Sequence, residues 1–365
     1  MSIDLSLLPD GGISWADASG PDGHIVLSTR IRLARNLQGM AFTTRARDDD
    51  RERIREQVVS ASRESRSLPD AAVFPVEGLD RADRQLLYER HLISKELAGL
   101  EAAGAARPGA ALVLGGDLGV MVNEEDHLRM QSLHSGFALQ PAYAALERLD
   151  AELGARLPFA FHPEFGYLTA CPTNAGTGLR ASVLIHLPGL VLTKEIAKVL
   201  QGLSQVGLTF RGLYGEGSEV VGNFFQLSNQ TTLGKSEDEL LDHLGKIVRQ
   251  VIEYEEQARR VLLRDAPSVI EDKVWRAYGL LRYARSLSFE ETMNLLSGVR
   301  LGVGLNLIAD LGVYTLNKLM IFAQPAHLAY VAGRALADPD LAIARATFVR
   351  RSLEEEAGRT RPQAH

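Results

Sequence analysis

The sequence holds a single cysteine, Cys171, in 365 residues. An intrachain disulfide is excluded, and such sparing use of cysteine fits a reducing cytoplasm. Lysine is also scarce, at seven of the 40 basic residues, so each functional cation has to be argued as an arginine in its own context. No apolar run approaches the length that spans a bilayer, and residues 1–12 lack the basic and apolar regions of a secretion signal. The net charge of −6 gives no general reason to expect nucleic acid or an anionic membrane as partner. There is no G-x-x-x-x-G-K-[ST] loop, which excludes P-loop phosphate binding, and no V-A-I-K, H-R-D or D-F-G of the protein kinases. Internal repeats and low-complexity tracts are absent too.

What is present reads as a globular chain, 45% hydrophobic and 24% charged, long enough for one large domain or two. Up to about residue 234, β-like apolar runs alternate with glycine-rich turns and some helices. Ala111–Leu114 and Leu118–Val122 flank Gly115-Gly116-Asp117 and predict a β-hairpin. Ser182–Leu187 and Asn223–Leu227 are further strand candidates, and helices are expected near 48–64, 80–90, 140–155 and 193–202. From Ser236 the pattern turns helical. Ser236–Glu239, Ser268–Glu271 and Ser288–Glu291 all fit the S-x-x-E capping box. Leu240–Leu263 reads as one long helix stopped by Asp265-Ala266-Pro267. This pattern divides the chain into a short segment 1–23, a mixed domain 24–258, a helical domain 266–352 and a disordered tail 353–365.

Two features carry chemistry. Arg30 and Arg32, in Ser28-Thr-Arg-Ile-Arg-Leu-Ala-Arg35, follow a short apolar run, and residues two apart on a strand share a face. Alone, the pair reads as an edge strand whose charges discourage pairing. Arg129, Arg180 and Arg211 also sit beside glycine-rich turns or strand ends. Five such groups together suit a polyphosphate, which guanidinium binds bidentately. The second feature is Val122-Asn-Glu-Glu-Asp-His-Leu-Arg129. Its acids and histidine could be read as metal donors, but neighbours on an extended segment alternate faces, so few could converge on one ion. His162 and His186 read as structural.

In order along the chain, "VLSTRIRLARN" (26–36), "HLIS" (91–94), "VNEEDHLR" (122–129), "CPTNAGTGLRASV" (171–183) and "RGLYGEGSEVVGNFFQLSNQ" (211–230) resemble the ATP:guanidino phosphotransferase, or phosphagen kinase, superfamily. Within it the chain is most similar to the McsB-type protein-arginine kinases, and residues 276–303 resemble their C-terminal domain. The resemblance implies an α+β fold, with an antiparallel β-sheet catalytic domain flanked by helices, followed by an all-α domain. The STRIR motif begins at residue 28, so the helical N-terminal domain of the small-molecule kinases has no counterpart here. An open site would suit an arginine presented on a protein.

The resemblance further implies that Arg30, Arg32, Arg129, Arg180 and Arg211 clamp the phosphates of ATP, with Mg2+ bound mainly by those phosphates rather than by protein ligands. The nucleotide site it implies comprises Ser28, Thr29, Ile31, His91, Ala181, Ser182, Val183, Leu184, Gly212, Leu213, Tyr214 and Gly215 besides the arginines. Glu125 and Glu216 match the family's two glutamates, with Glu216 also in the nucleotide segment. A guanidinium, whose pKa exceeds about 12, is a poor nucleophile until a proton leaves. A carboxylate can orient it and take that proton. Spacing alone does not separate Glu125 from Glu124 or Asp126. Cys171, in "CPTN", would meet the same guanidinium and support the reaction without a covalent intermediate.

The chain departs from the pattern in two places. Leu184 stands where related kinases carry a histidine. The regulatory R-D-x-x-R-A motif that binds phosphoarginine is reduced to Leu341, Ala342, Arg345 and Ala346, so activation by phosphoarginine is expected to be weak or absent. Expected partners are proteins with exposed arginine, an McsA-type activator, a Clp-type ATPase and protease, and a second copy through the C-terminal domain. A small-molecule guanidino kinase and a catalytically dead reader of marked proteins are the rival functions.

Overall fold

The computed structural model describes residues 4–8, 12–100, 104–213 and 220–360, with side chains through residue 356. Its frame is an eight-stranded sheet in the order β2-β3-β4-β5-β1-β8-β10-β9. The strands are β1 (Val26–Arg35), β2 (Ala72–Pro75), β3 (Ala111–Gly115), β4 (Leu118–Val122), β5 (Leu128–Ser135), β8 (Leu179–His186), β9 (Leu208–Arg211) and β10 (Phe224–Asn229). Every adjacent pair is antiparallel. The separate ribbon β6 (Phe161–His162) with β7 (Gly166–Tyr167) lies outside the sheet. The expected hairpin at 111–122 forms, with Gly116 at φ +58° in its turn, a conformation glycine adopts without steric cost.

Side chains alternate across a strand, and that period divides this sheet. Ile31, Leu33, Leu128, Met130, Leu179, Ala181, Val183, Ile185 and Leu227 enter one core. They are covered by the apolar stripes of α1 (Asp48–Arg63), α3 (Leu139–Gly154) and α6 (Glu237–Asp265). Fully burying each such side chain is worth about 1.5–3 kcal/mol. The intervening residues, including every arginine of interest, are thereby left to the other face.

That other face is closed at one end by the C-terminal helices α7 (Pro267–Tyr283), α8 (Phe289–Gly304), α9 (Val313–Phe322), α10 (Pro325–Ala332) and α11 (Asp338–Thr360). One core holds Trp15, Leu27, Leu133, Leu184 and Phe224 together with Val274, Met293, Leu316 and Val349. The two halves of the chain therefore share apolar interior. Polar ties cross the same boundary: Arg300 donates to the carbonyls of Gly23 and His24, Asn317 donates to that of Ala16, and His186 meets the Ser297 hydroxyl at 2.8 Å. Burial lowers the Arg300 guanidinium to about 9, which makes those carbonyl partners costly to lose.

Helix starts follow local chemistry. Ser236 and Glu239 form a reciprocal capping box at α6, and Ser288 accepts from the Glu291 N–H at α8. The expected box at Ser268 does not form. α7 begins two residues earlier than a Ser268 cap would place it, because Pro267, with its fixed φ and no N–H, takes the first helical position. α11 also runs through Thr360, into the stretch expected to be disordered. Val349 and Leu353 are buried on its inner face and hold it there.

Candidate active site

The floor of the site is set by strand register. Arg32 lies opposite Arg180 across β1 and β8, and Arg30 opposite Ser182. On the other side of β1, Arg32 pairs with Gln131 and Ala34 with Arg129. At the far edge, Arg211 pairs with Gln226 of β10. These positions share one face, so Arg30, Arg32, Arg129, Arg180 and Arg211 all line a single cleft of about 590 Å³. Arg30 donates to Gln226 Oε1 at 3.0 Å. Desolvation and then the neighbouring Arg180 and Arg129 lower Arg30 to about 10. Arg32 is pushed well below its usual value by desolvation and by Arg30, Arg129 and Arg180. The Arg32 Nε–H is buried with no hydrogen-bond acceptor among the described residues. Crowded, desolvated guanidinium groups of one sign call for a bound polyanion.

The acidic segment resolves into separate jobs. Asn123 adopts φ +57°, its N–H donates to the His127 carbonyl to close the turn between β4 and β5, and its side chain donates to the carbonyls of Arg51 and Gly109. Glu124 is fully buried and pairs with Arg129, which also meets Glu125 at 3.1 Å. Burial alone would lower Arg129, but Glu124 and Glu125 hold it above its usual value. Asp126 accepts from Asn36 and from the Ala170 N–H, each at 2.6 Å, and so ties the turn to the loop segment preceding Cys171. His127 accepts from the Leu37 N–H and its other ring nitrogen lies 2.8 Å from the Ala41 carbonyl. Glu125 alone of the three acids keeps an exposed carboxylate, at 38% of its side chain. Desolvation raises its pKa, and Glu124 and Asp126 push the same way against Arg129.

Cys171 opens onto the cleft beside Thr173 and Asn174, with its sulfur 3.0 Å from the Thr173 hydroxyl. His91 lines the same cleft and also a small adjoining recess with Trp15, Ser28, Ser182, Leu184 and Leu213. It sits at φ +59° just after α2 (Arg81–Glu89). There the His91 and Leu92 N–H groups return to the carbonyls of Tyr88 and Leu87, a helix stop usually filled by glycine. The ring meets Trp15 edge-on at 5.0 Å, and burial lowers its pKa to about 3, which leaves it neutral.

Of the other expected nucleotide residues, Thr29, Ile31, Ala181 and Val183 alternate to the sheet's opposite face; the last three lie in its helix-covered core. Only their backbone could face a ligand. Gly212 and Leu213 are buried beyond Arg211. Tyr214, Gly215 and Glu216 lie outside the described residues. Leu341, Ala342, Arg345 and Ala346 sit on α11, away from the cleft lining. Sequence reasoning missed Tyr88, Lys95, Glu96, Arg107 and Gln226, which all line the cleft. Gln226 could have been found: with Ser228 it is one of two polar residues of β10 in phase with the arginines.

Two family models match this chain. One, described as the ATP:guanido phosphotransferase C-terminal catalytic domain, matches residues 53–258; the other, the protein-arginine kinase McsB C-terminal domain, matches residues 267–363. The chain is 46% identical over 342 residues to the protein-arginine kinase of Symbiobacterium thermophilum, covering 93% of this chain and 96% of that one. Against the protein-arginine kinase of Moorella thermoacetica it is 44% identical over 354 residues, covering 96% and 99%. Among solved structures, lombricine kinase shares the fold at TM-score 0.56 and 22% identity, over 70% of this chain and 71% of that chain. The duplicated taurocyamine kinase of Schistosoma mansoni, with bound transition state analogue components, matches at TM-score 0.54 and 27% identity. That match covers 67% of this chain and 35% of the longer one.

Proposed function

Because the chain belongs to the ATP:guanido phosphotransferase family, as a protein-arginine kinase, we propose that its arginine cleft holds ATP and passes the γ-phosphoryl group to an arginine side chain of another protein. The observation that carries this is the convergence of Arg30, Arg32, Arg129, Arg180 and Arg211 with Glu125 and Cys171 on one cleft. The buried Arg32 Nε–H without an acceptor fits a phosphate oxygen as its partner.

In the reaction, Glu125 accepts a hydrogen bond from the target guanidinium and removes its proton. The freed nitrogen attacks the γ-phosphorus, the bond to the β–γ bridging oxygen breaks, and the electron pair leaves with ADP. The arginines neutralise the transferring group and keep donor and acceptor in line, which is most of what phosphoryl transfer requires. Alignment can contribute roughly 7–11 kcal/mol to lowering the barrier, and base assistance about 10²–10⁴-fold. Glu216 would hold the guanidinium from the other side, and Cys171 would sit against it.

Mg2+ fits as a phosphate-held ion, because Glu124 is already paired with Arg129, and Asp126 already accepts two hydrogen bonds. It would supply charge neutralisation to the phosphates. His91 and the Ser28–Leu184 recess would take the nucleoside end. The catalytic unit would run from 24 to 258, with the helical unit 266–352 offering a dimer surface. An McsA-type activator and a Clp-type protease reading the mark in bacterial protein quality control complete the proposal.

The test is mass spectrometry of ATP-treated casein beside free arginine, under conditions that preserve the acid-labile P–N bond. Phosphoarginine in the protein supports the reading. Phosphorylation of free arginine alone would mean a small-molecule kinase, and no turnover of ATP would mean a reader of marked proteins.

A further inference from the structure

The segment Tyr88-Glu89-Arg90-His91 divides its side chains between two places. Tyr88 and His91 line the cleft. Glu89 and Arg90 turn instead to the C-terminal helices, where both are buried. Glu89 accepts from the Ala326 N–H at the start of α10, at 3.1 and 3.2 Å, and lies 2.9 Å from His327 Nδ1. Arg90 Nε donates to His327 Nε2 at 3.0 Å, and its guanidinium lies over the Phe322 ring at 5.5 Å. The two contacts fix one ring form: Nδ1–H donates to Glu89 and Nε2 accepts from Arg90. The far end of this link is fastened by Arg345 of α11, which donates to the Ala323 and Leu287 carbonyls at 2.8 and 2.9 Å and so holds the corner between α9 and α10.

From this we infer that His327 is a positioning residue for the nucleotide, acting through Glu89 and Arg90 on His91. His91 is held in the left-handed backbone region, which a non-glycine residue enters at a steric cost. Such a conformation persists where its surroundings over-determine it. Gln131 Nε2 donates to the His91 and Leu92 carbonyls from the sheet, at 3.4 and 2.9 Å, and the two residues that precede His91 are the pair held by His327. The C-terminal helices are then part of the frame of the nucleotide pocket, and an event that shifts the α9–α10 corner is felt first by ATP rather than by the acceptor. The inference rests on the cleft being the ATP site.

The experiment measures ATP and acceptor kinetics of the full chain in His327→Ala, His91→Gly and the double variant, with thermal unfolding as a check on folding. Glycine suits the backbone at 91, so that change removes the imidazole and relieves the backbone together. The expected result for His327→Ala is a KM for ATP raised about tenfold, as for one lost hydrogen bond to a charged group, with kcat and acceptor KM within about twofold. The double variant should be little worse than His91→Gly, because both act through one group. Should His327→Ala not fold, His327→Asn, which can keep the donation to Glu89 but not the acceptor for Arg90, is read the same way. An unchanged KM for ATP, equal losses in acceptor KM, or additive effects in the double variant would overturn the inference alone. Retained ATP affinity in Arg180→Gln would overturn the cleft reading and this inference with it.

Discussion

Arg32 and Arg180 stand directly opposite each other across the β1–β8 ladder, two like charges in register at the centre of the sheet. Like charges so placed cost about 0.2–1 kcal/mol of stability. Here desolvation and two more arginines add to the repulsion felt by Arg32. The sheet tolerates this because its opposite face is packed against α3 and α6. Arg32→Gln should therefore raise the melting temperature of the ligand-free protein while abolishing ATP binding. Calorimetry with and without ATP checks both halves; a lower melting temperature would show that the pair is not under repulsion.

The two neighbouring glutamates should fail in different ways. Glu125→Gln is expected to lose phosphotransfer by about 10²–10⁴-fold while still binding ATP. Glu124→Gln removes the buried partner of Arg129, so its loss should show in KM for ATP and in stability. Steady-state kinetics on both variants decides it. Near-parental kcat in Glu125→Gln would remove that residue from the chemistry. Glu216→Gln is expected to behave as Glu125→Gln does.

The base assignment also fixes a pH dependence. The Glu125 pKa is raised by burial and then by its acidic neighbours. Its protonated, inactive form therefore persists to higher pH than in a free side chain. The rate should rise with pH through a midpoint above the ordinary glutamate value of 4.5. By linkage, ionising a carboxyl with a raised pKa costs the folded state, so Glu125→Gln should melt no lower than the parent at neutral pH. A profile of kcat/KM against pH, with prompt quenching to spare the product, is the measurement.

Cys171 borders the cleft, with its sulfur beside the Thr173 hydroxyl. Alkylation should block the acceptor side and inhibit, and ATP should protect. Cys171→Ala should keep a reduced turnover, since no covalent intermediate is required. Full labelling with unchanged activity would place the sulfur away from the reacting atoms.

Free phosphoarginine should activate weakly or not at all. Arg345, the cation left in the expected match to a phosphoarginine motif, is 4% exposed and donates to the Ala323 and Leu287 carbonyls. Leu341 and Ala342 offer no charge in place of the missing pair. Assays across a range of phosphoarginine concentrations should stay nearly flat, and Arg345→Ala should lower the melting temperature because two buried carbonyls lose their donor.

Much of this was legible in the sequence, for identifiable reasons. The hairpin at 111–122, the long helix α6 and the Arg30–Arg32 pair are written in local signals: a glycine turn, a capping box, period-two charge. The spacing of Arg30 and Arg32 foretold their common face. What spacing could not separate was Glu124, Glu125 and Asp126, because their roles depend on partners at Arg129, Asn36 and Ala170, distant in sequence or across a turn. The link from Glu89 to His327 spans 238 residues and left no local trace. Nor did the shared core that joins Trp15 and Phe224 to the C-terminal helices.

The alternation of β1 has a consequence for how the chain guards against folding errors. Ile31 and Leu33 enter the core on one face while Arg30 and Arg32 enter the cleft on the other. A slip of one residue, or a single deletion within the strand, would exchange the two sets at once. It would drive guanidinium groups into the packed interior and expose the aliphatic side chains, so an out-of-register sheet would be unstable as well as inactive. A chain that has closed this sheet has therefore already set the spacing of its arginines.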